Sequence, residues 1–158
     1  MTSPPLIAVD TREPENHPWF RTPAWQGVSM VRRTLETGDF ALAANPAVCV
    51  ERKALGDFLS CIGGERERFE RELKRARYCD AFAVVVEGDF AGALSYAGGL
   101  HPASIVGTVA AWSRRYGPIV FCSTPRIAAD FTLRFLSQPV QEARKLARAA
   151  AEGLSVES

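Results

Sequence analysis

The sequence predicts an α/β fold built on a mixed β-sheet, and three observations carry the prediction. Short apolar, β-branched runs recur along the chain: "LIAV" at 6–9, "VCV" at 48–50, "FAVVV" at 82–86 and "PIVFC" at 118–122. Between and after the later runs lie segments whose apolar residues return every three or four positions, the spacing of amphipathic helices. The segment "FAVVVEG" is apolar almost throughout, as a central strand covered on both faces must be. Strands that alternate with helices in this way pack as layers.

The elements follow in chain order. "LIAV" is bounded by prolines and predicts a buried strand that ends at Asp10. A Pro-rich connection, "REPENHPWFRTPAWQG", carries Trp19, Phe20 and Trp25. Three strands are expected next, at about 28–35, 39–43 and 47–53, separated by Thr37-Gly38 and by "AANPA". Leu55, Phe58, Leu59 and Ile62 have helical spacing, and Gly63-Gly64 interrupt it.

A second helix, "ERERFERELKRARY", buries Phe69, Leu73 and Ala76, with Glu67–Arg71 and Glu70–Lys74 as expected pairs on its solvated side. After the central strand comes a helix opened by Pro102, with Ile105, Val109, Trp112 and Tyr116 on one stripe and Gly117 as its stop. "PIVFC" is the last strand. Thr124-Pro125 then opens a helix with the stripe Ile127, Phe131 and Phe135, and a separate C-terminal helix is expected from Pro139 to about 152, with a frayed tail at 153–158. Residues 1–158 read as a single domain with a core at about 5–136.

Composition narrows the function classes. The chain has 158 residues, 47% apolar and 23% charged, with a net charge of +1. A polycation is excluded, so any nucleic-acid contact must come from a local basic patch. The four cysteines, Cys49, Cys61, Cys79 and Cys122, contain no Cys-x-x-Cys pair and sit in or beside apolar runs. They read as buried free thiols of a reducing compartment rather than zinc ligands. The N-terminus lacks a signal-peptide pattern and no run is long enough to cross a membrane, so a cytoplasmic location is expected.

The chemistry concentrates in "VCVERKALGDFL", Val48 to Leu59. Alternation along a strand puts Glu51 and Lys53 on one face and Arg52 on the other. If 39–43 and 47–53 form a hairpin, Asp39 lies near Glu51, and Asp10 can join from a neighbouring strand. A helix that begins at once brings Asp57 towards Lys53. Clustered carboxylates raise one another's pKa unless a cation lies among them. Hard divalent ions take such oxygens and complete their shell with water and phosphate, and an ion so held activates water against a phosphodiester. The plain structural alternative is a solvated strand end in which Asp57 compensates Lys53.

These residues resemble a known family. "GDFAL…VCVERKALGDFL" is similar to the GD-x(n)-ERK-x(3)-D signature of the XPF-type structure-specific DNA endonucleases, at Gly38, Asp39, Glu51, Arg52, Lys53 and Asp57. "VDTRE" resembles the Asp-x-Arg-Glu that ends the family's first strand. "ERFERELKRARY" is similar to its arginine-rich helix, with Arg68 in place and Glu72 where glutamine is more typical. "VVVEG", ending in Glu87, resembles its next core strand.

The resemblance implies a restriction-endonuclease-like α/β core, a central mixed sheet flanked by helices on both faces. It implies metal-dependent hydrolysis of DNA phosphodiesters at branched or single-strand/double-strand junctions. Catalysis would fall to Asp39, Glu51, Arg52, Lys53 and Asp57. Mg²⁺ or Mn²⁺ would be held by Asp39 and Glu51, with Asp10 behind them or at a metal-bound water, and Arg12 and Arg68 would contact DNA. The chain lacks the tandem helix-hairpin-helix and helicase portions of well-known members, so a homodimer or a partner subunit is expected to supply DNA contacts. A non-catalytic DNA-binding or scaffold subunit is the alternative reading, and an α/β enzyme unrelated to nucleic acid is another.

Three further features carry expectations of their own. The Trp19–Phe20–Trp25 segment either offers rings to unpaired bases or, as we expect, covers the end of the sheet. His17 and His101 are expected as surface or capping residues. "EARKLARAAA" either docks on its own core or pairs with a second copy, and the second is the expectation.

Overall fold

The computed structural model describes residues 3–96 and 98–156, with side chains through Gly153. Strands β1 (Ile7–Asp10), β2 (Met30–Arg33), β3 (Phe40–Leu42), β4 (Asn45–Ala54), β5 (Ala81–Glu87) and β6 (Ile119–Cys122) form one six-stranded sheet in the order β2-β1-β3-β4-β5-β6. β3 is antiparallel to both β1 and β4, while β1–β2, β4–β5 and β5–β6 are parallel. All strands but β3 therefore point the same way. The sheet is mixed, as predicted.

Helices cover both faces. On one face α1 (Leu55–Ile62), α2 (Arg66–Ala76) and α4 (Pro102–Arg115) bury Phe58, Phe69, Leu73, Ile105 and Trp112 against Ala8, Ala41, Cys49, Val84 and Val86. On the other, two short 3₁₀ turns, Pro18–Arg21 and Pro23–Trp25, join α5 (Pro125–Val156) over Val9, Phe40, Val50, Ala83 and Val85. The period of two along β4 and β5 explains the division, because neighbouring residues feed opposite cores. Trp19 and Trp25 are buried, at 0% and 2% exposure, so they cover the sheet and are not open to bases. Trp25 Nε1 donates to the Ala129 carbonyl at 3.0 Å, which ties the Pro-rich connection to α5.

Local signals hold at most boundaries. His101 accepts from the Ala103 N–H at the start of α4, and at its end Gly117 has φ +143°, where an added Cβ would collide with the Phe82 carbonyl. Both histidines cap, but His17 is not at the surface: it is 1% exposed and accepts from the Trp19 N–H at 3.2 Å.

Four expectations are corrected. A short helix, α3 (Phe90–Leu94), capped by Asp89, occupies a stretch in which none was predicted. The expected helices on either side of Pro139 are one helix of 32 residues. Proline removes one backbone donor, but Leu136, at 0% exposure, and Ser137, whose hydroxyl donates to the Leu133 carbonyl, anchor the turn before it. The buried stripe is Ala128, Ala129, Thr132 and Leu136, whereas Ile127 is 50% exposed. Glu70 pairs with Arg66 at 3.1 Å and accepts from Trp112 Nε1, in place of the expected Lys74.

The tail expected to fray after Gly153 is helical through Val156, and residues 157–158 lie outside the described ones. Among the described residues, all four cysteines are free thiols and no helix is long and apolar enough to cross a membrane.

Candidate active site

The site lies where the carboxyl ends of β1, β4 and β5 meet the start of β3, the position at which open α/β sheets tend to bind ligands. The β3–β4 register, Phe40 opposite Val50, carries Asp39 to Glu51. Gly38 makes this possible. Its φ is +79°, and a Cβ there would come within 3.0 Å of the Val50 carbonyl oxygen and 3.1 Å of Cys49 Cβ. Only glycine adopts that conformation with the two strands so close. Beyond it, the Asp39 N–H donates to the Val50 carbonyl at 2.8 Å, and Asp39 Oδ2 accepts the Arg52 N–H at 2.8 Å.

Glu51 and Lys53 share a face. Lys53 Nζ lies 3.1 Å from Glu51 Oε1 and 5.0 Å from the centre of the Phe69 ring, so α2 seats the ammonium against the carboxylate. Burial lowers the Lys53 pKa, but the charge of Glu51 and its hydrogen bond outweigh that, so the net shift is upward. The ammonium is charged at neutral pH.

The carboxylates also shift upward, which for them favours the neutral form. Burial first, opposed by the Arg52 N–H and reinforced by Glu13, pushes Asp39 up to about 6. Burial and then Asp39 push Glu51 up to about 7, against the pull of Lys53. Two half-hidden carboxylates with one ammonium between them have unmet demand for positive charge.

Arg52 turns to the opposite face. Its Nε and Nη2 meet Glu87 Oε1 and Oε2 at 2.8 and 3.1 Å, Trp19 Nε1 donates to the same Oε1 at 2.7 Å, and the guanidinium lies over the Trp19 ring. The network pins β4 on its far side while the β4 backbone holds Asp39.

Asp10 is fully buried behind the site. Its Oδ1 accepts from the Arg12 backbone at 2.9 Å and from Arg12 Nε at 2.6 Å, and its Oδ2 from the Leu35 N–H at 2.8 Å. Burial alone would raise its pKa, but these hydrogen bonds, led by Arg12, outweigh that and hold it below the usual carboxylate range.

Around these groups open two connected recesses. One, of about 280 Å³, is lined by Arg12, Asp39, Glu51, Lys53, Arg68 and Glu72. The other, of about 400 Å³, shares Asp39, Glu51, Lys53 and Arg68, and adds Glu13, Arg52 and Asp57. Among the described residues, no group of three or more His, Cys, Asp or Glu is arranged to hold a metal ion. Asp39 and Glu51 form a two-carboxylate set, the kind that suits a hard ion keeping several of its waters.

The model of the ERCC4 domain matches residues 9–135. The chain belongs to the ERCC4 domain family. This is a family of structure-specific DNA nucleases of the XPF type. XPF from Aeropyrum pernix superposes with a TM-score of 0.71 at 22% identity, over 96% of this chain and 73% of that one. XPF from Aeropyrum pernix in complex with DNA gives 0.65 at 22% identity, over 88% of this chain and 66% of that one. At such identity the likeness shows the fold. No curated protein matches the sequence.

This ERCC4 domain gathers the residues that the signature singled out, though not all on one surface. Asp39, Glu51, Lys53, Arg12 and Arg68 face the same recess, while Arg52 stands behind β4. Asp57 is exposed on the rim of the second recess, and the ion pair of Lys53 is with Glu51. Arg68 also pairs with Glu65 at 3.0 Å.

Glu13, which the site signature leaves without a role, also stands at the recess. Its carboxyl is 14% exposed, lies 3.3 Å from His17 Nε2 without hydrogen-bond alignment, and has a pKa raised by burial. His17 itself is pushed down to about 4 by burial and by Arg52, and is therefore neutral at pH 7. The Asp-x-Arg-Glu match was the available signal for Glu13.

Proposed function

We propose that this ERCC4 domain is a Mg²⁺- or Mn²⁺-dependent DNA endonuclease acting on branched or single-strand/double-strand junction DNA. One observation carries the reading: Asp39 and Glu51, both with raised pKa values, converge on Lys53 in a recess flanked by Arg12 and Arg68. A half-buried acidic pair with a single ammonium is costly unless a further cation joins it. When bound, the divalent ion supplies Lewis acidity and lowers the pKa of a water.

The chain's own groups do the rest. Asp39 and Glu51 present the oxygens, with Asp39 aimed by the Arg52 N–H. Lys53, charged and held on Phe69, orients the attacking water and offsets negative charge that develops at phosphorus. Arg12 and Arg68 hold phosphate oxygens from the rim. Asp10 supports from behind by fixing Arg12 and the β2–β3 connection, and Arg52 clamps β4 to Glu87. Asp57 lines the rim near Lys53. With a net charge of +1, the chain draws further DNA contacts from a second copy or a partner subunit. A cytoplasmic setting accords with the four free thiols.

Labelled fork, flap and duplex DNA incubated with Mg²⁺ or Mn²⁺ test the reading. Metal-dependent cutting that falls about 10²–10³-fold in Lys53→Ala, and is lost in Asp39→Ala, is expected. Binding without cutting by the folded wild-type chain would instead assign the non-catalytic subunit.

A further inference from the structure

A second groove opens beside the catalytic recess, between the β2–β3 connection, the start of β4 and the end of α2. Its volume is about 580 Å³, and it shares Glu36, Thr37 and Arg75 with the recess. These three residues border both, so the two openings are immediate neighbours on the surface. We propose that this groove holds the unpaired DNA strand next to the scissile phosphate, with a base stacked on Tyr78 and phosphates met by Arg75 and Arg33. The proposal rests on the nuclease reading for its substrate and deepens it by assigning where the single-stranded arm runs.

The chemistry fits a nucleotide on each side. Tyr78 is 90% exposed and stands at the groove edge, a large ring left in water although its neighbour two residues earlier, Ala76, is buried. The floor is apolar, with Leu35 at 5% exposure beside Pro46 and Ala47. Arg33 and Arg75 are both exposed, and among the described residues neither is ion-paired to a carboxylate. Among the described residues, Arg33 Nη1 donates only to the Ala43 carbonyl, at 3.4 Å. An exposed ring beside guanidinium groups with no carboxylate partner is the combination that binds single strands with little regard to sequence.

The groove volume matches a drug-sized ligand, and so about one or two nucleotides rather than a duplex. Among the described residues Glu36 is the only acid that lines it, and it opposes phosphate from the rim it shares with the recess. Its effect is testable in the opposite direction.

The test uses the full chain without divalent ion, so that binding is read apart from cutting. Duplexes with and without a single-stranded arm are compared by fluorescence anisotropy. The arm carries 5-iodouracil at successive positions, and near-UV cross-links are mapped by mass spectrometry. We expect a cross-link at Tyr78. The preference for armed over plain duplex should fall about tenfold in Tyr78→Ala and persist in Tyr78→Phe, since stacking needs the ring and not the hydroxyl. Arg33→Ala and Arg75→Ala should each flatten the salt dependence by about 0.7 in log–log slope, and Glu36→Gln should tighten armed DNA.

No cross-link at Tyr78 from any arm position, or an arm preference that Tyr78→Ala leaves intact, overturns the groove assignment. A Tyr78→Ala change that alters only oligomeric state overturns it in favour of a second copy. Cross-linking and arm preference in a chain that cuts nothing after metal is added keep the groove and remove the nuclease reading. Cutting without the cross-link does the reverse.

Discussion

Glu87→Ala is the perturbation whose magnitude the structure defines best. The carboxylate serves two partners: Trp19 Nε1 at 2.7 Å, on a residue with 0% exposure that water cannot reach, and the Arg52 fork at 2.8 and 3.1 Å. A buried indole N–H left unsatisfied costs about 1–3 kcal/mol. Breaking a buried ion pair costs about 3–5 kcal/mol, but Arg52 keeps 26% exposure, so water recovers part of that and the low end applies. The two losses share one carboxylate and do not add fully. The expected destabilisation is therefore about 3 kcal/mol, which at a urea m-value of about 2 kcal/mol per M lowers the midpoint by about 1.5 M.

Glu87→Gln keeps an acceptor for Trp19 and removes only the charge, so its loss should be about 1 kcal/mol. Urea unfolding followed by tryptophan fluorescence measures both, because Trp19 lies in the network. Equal shifts for alanine and glutamine, or an alanine shift below that of an ordinary surface change, would refute the argument that charge and indole depend on one carboxylate.

Other expectations follow from the same geometry. Gly38→Ala forces an alanine to φ +79° with its Cβ against the Val50 carbonyl, so about 1–3 kcal/mol should be lost in urea unfolding, together with cleavage. In metal-free protein the raised pKa values of Asp39 and Glu51 mean that the folded state binds more protons than the unfolded one between about pH 4 and 7. Stability should therefore fall as pH rises through that window. His17, with a folded pKa pushed to about 4, acts in the opposite sense between 4 and 6.5. The difference between wild type and Asp39→Asn in thermal melts at successive pH isolates the carboxylate: a wild type that does not lose ground to the variant on going from pH 4 to pH 7 contradicts the assignment. For thiols, the half-buried Cys79 should react first with an aromatic disulfide reagent while Cys49, Cys61 and Cys122 wait for urea, since burial pushes Cys61 up to about 11 and raises Cys49 and Cys122 as well. Rapid native reaction of all four would contradict the packing.

The local pattern was enough to place Glu51 and Lys53 on one face and Arg52 on the other, to start α1 directly after β4, and to set Gly38-Asp39 opposite Glu51. These outcomes depend on the period of two, on turn chemistry and on short hairpin pairing, all written within a few residues of where they act. Other features needed distant partners. The insertion of β1 between β2 and β3, the reach of Trp19 to Glu87 across 68 residues, and the burial of His17 against Phe40 come from contacts that no window of sequence contains. The same holds for the C-terminal helix. Pro139 signals a break, and packing of Leu136 and Trp25 along α5 overrides it, because burial of a helix face outweighs the loss of one backbone hydrogen bond. Sequence determined which charges could meet; the tertiary structure decided how deeply they are buried, and burial is what raises the two carboxylates, while the charge of Glu51 keeps Lys53 protonated against the same burial.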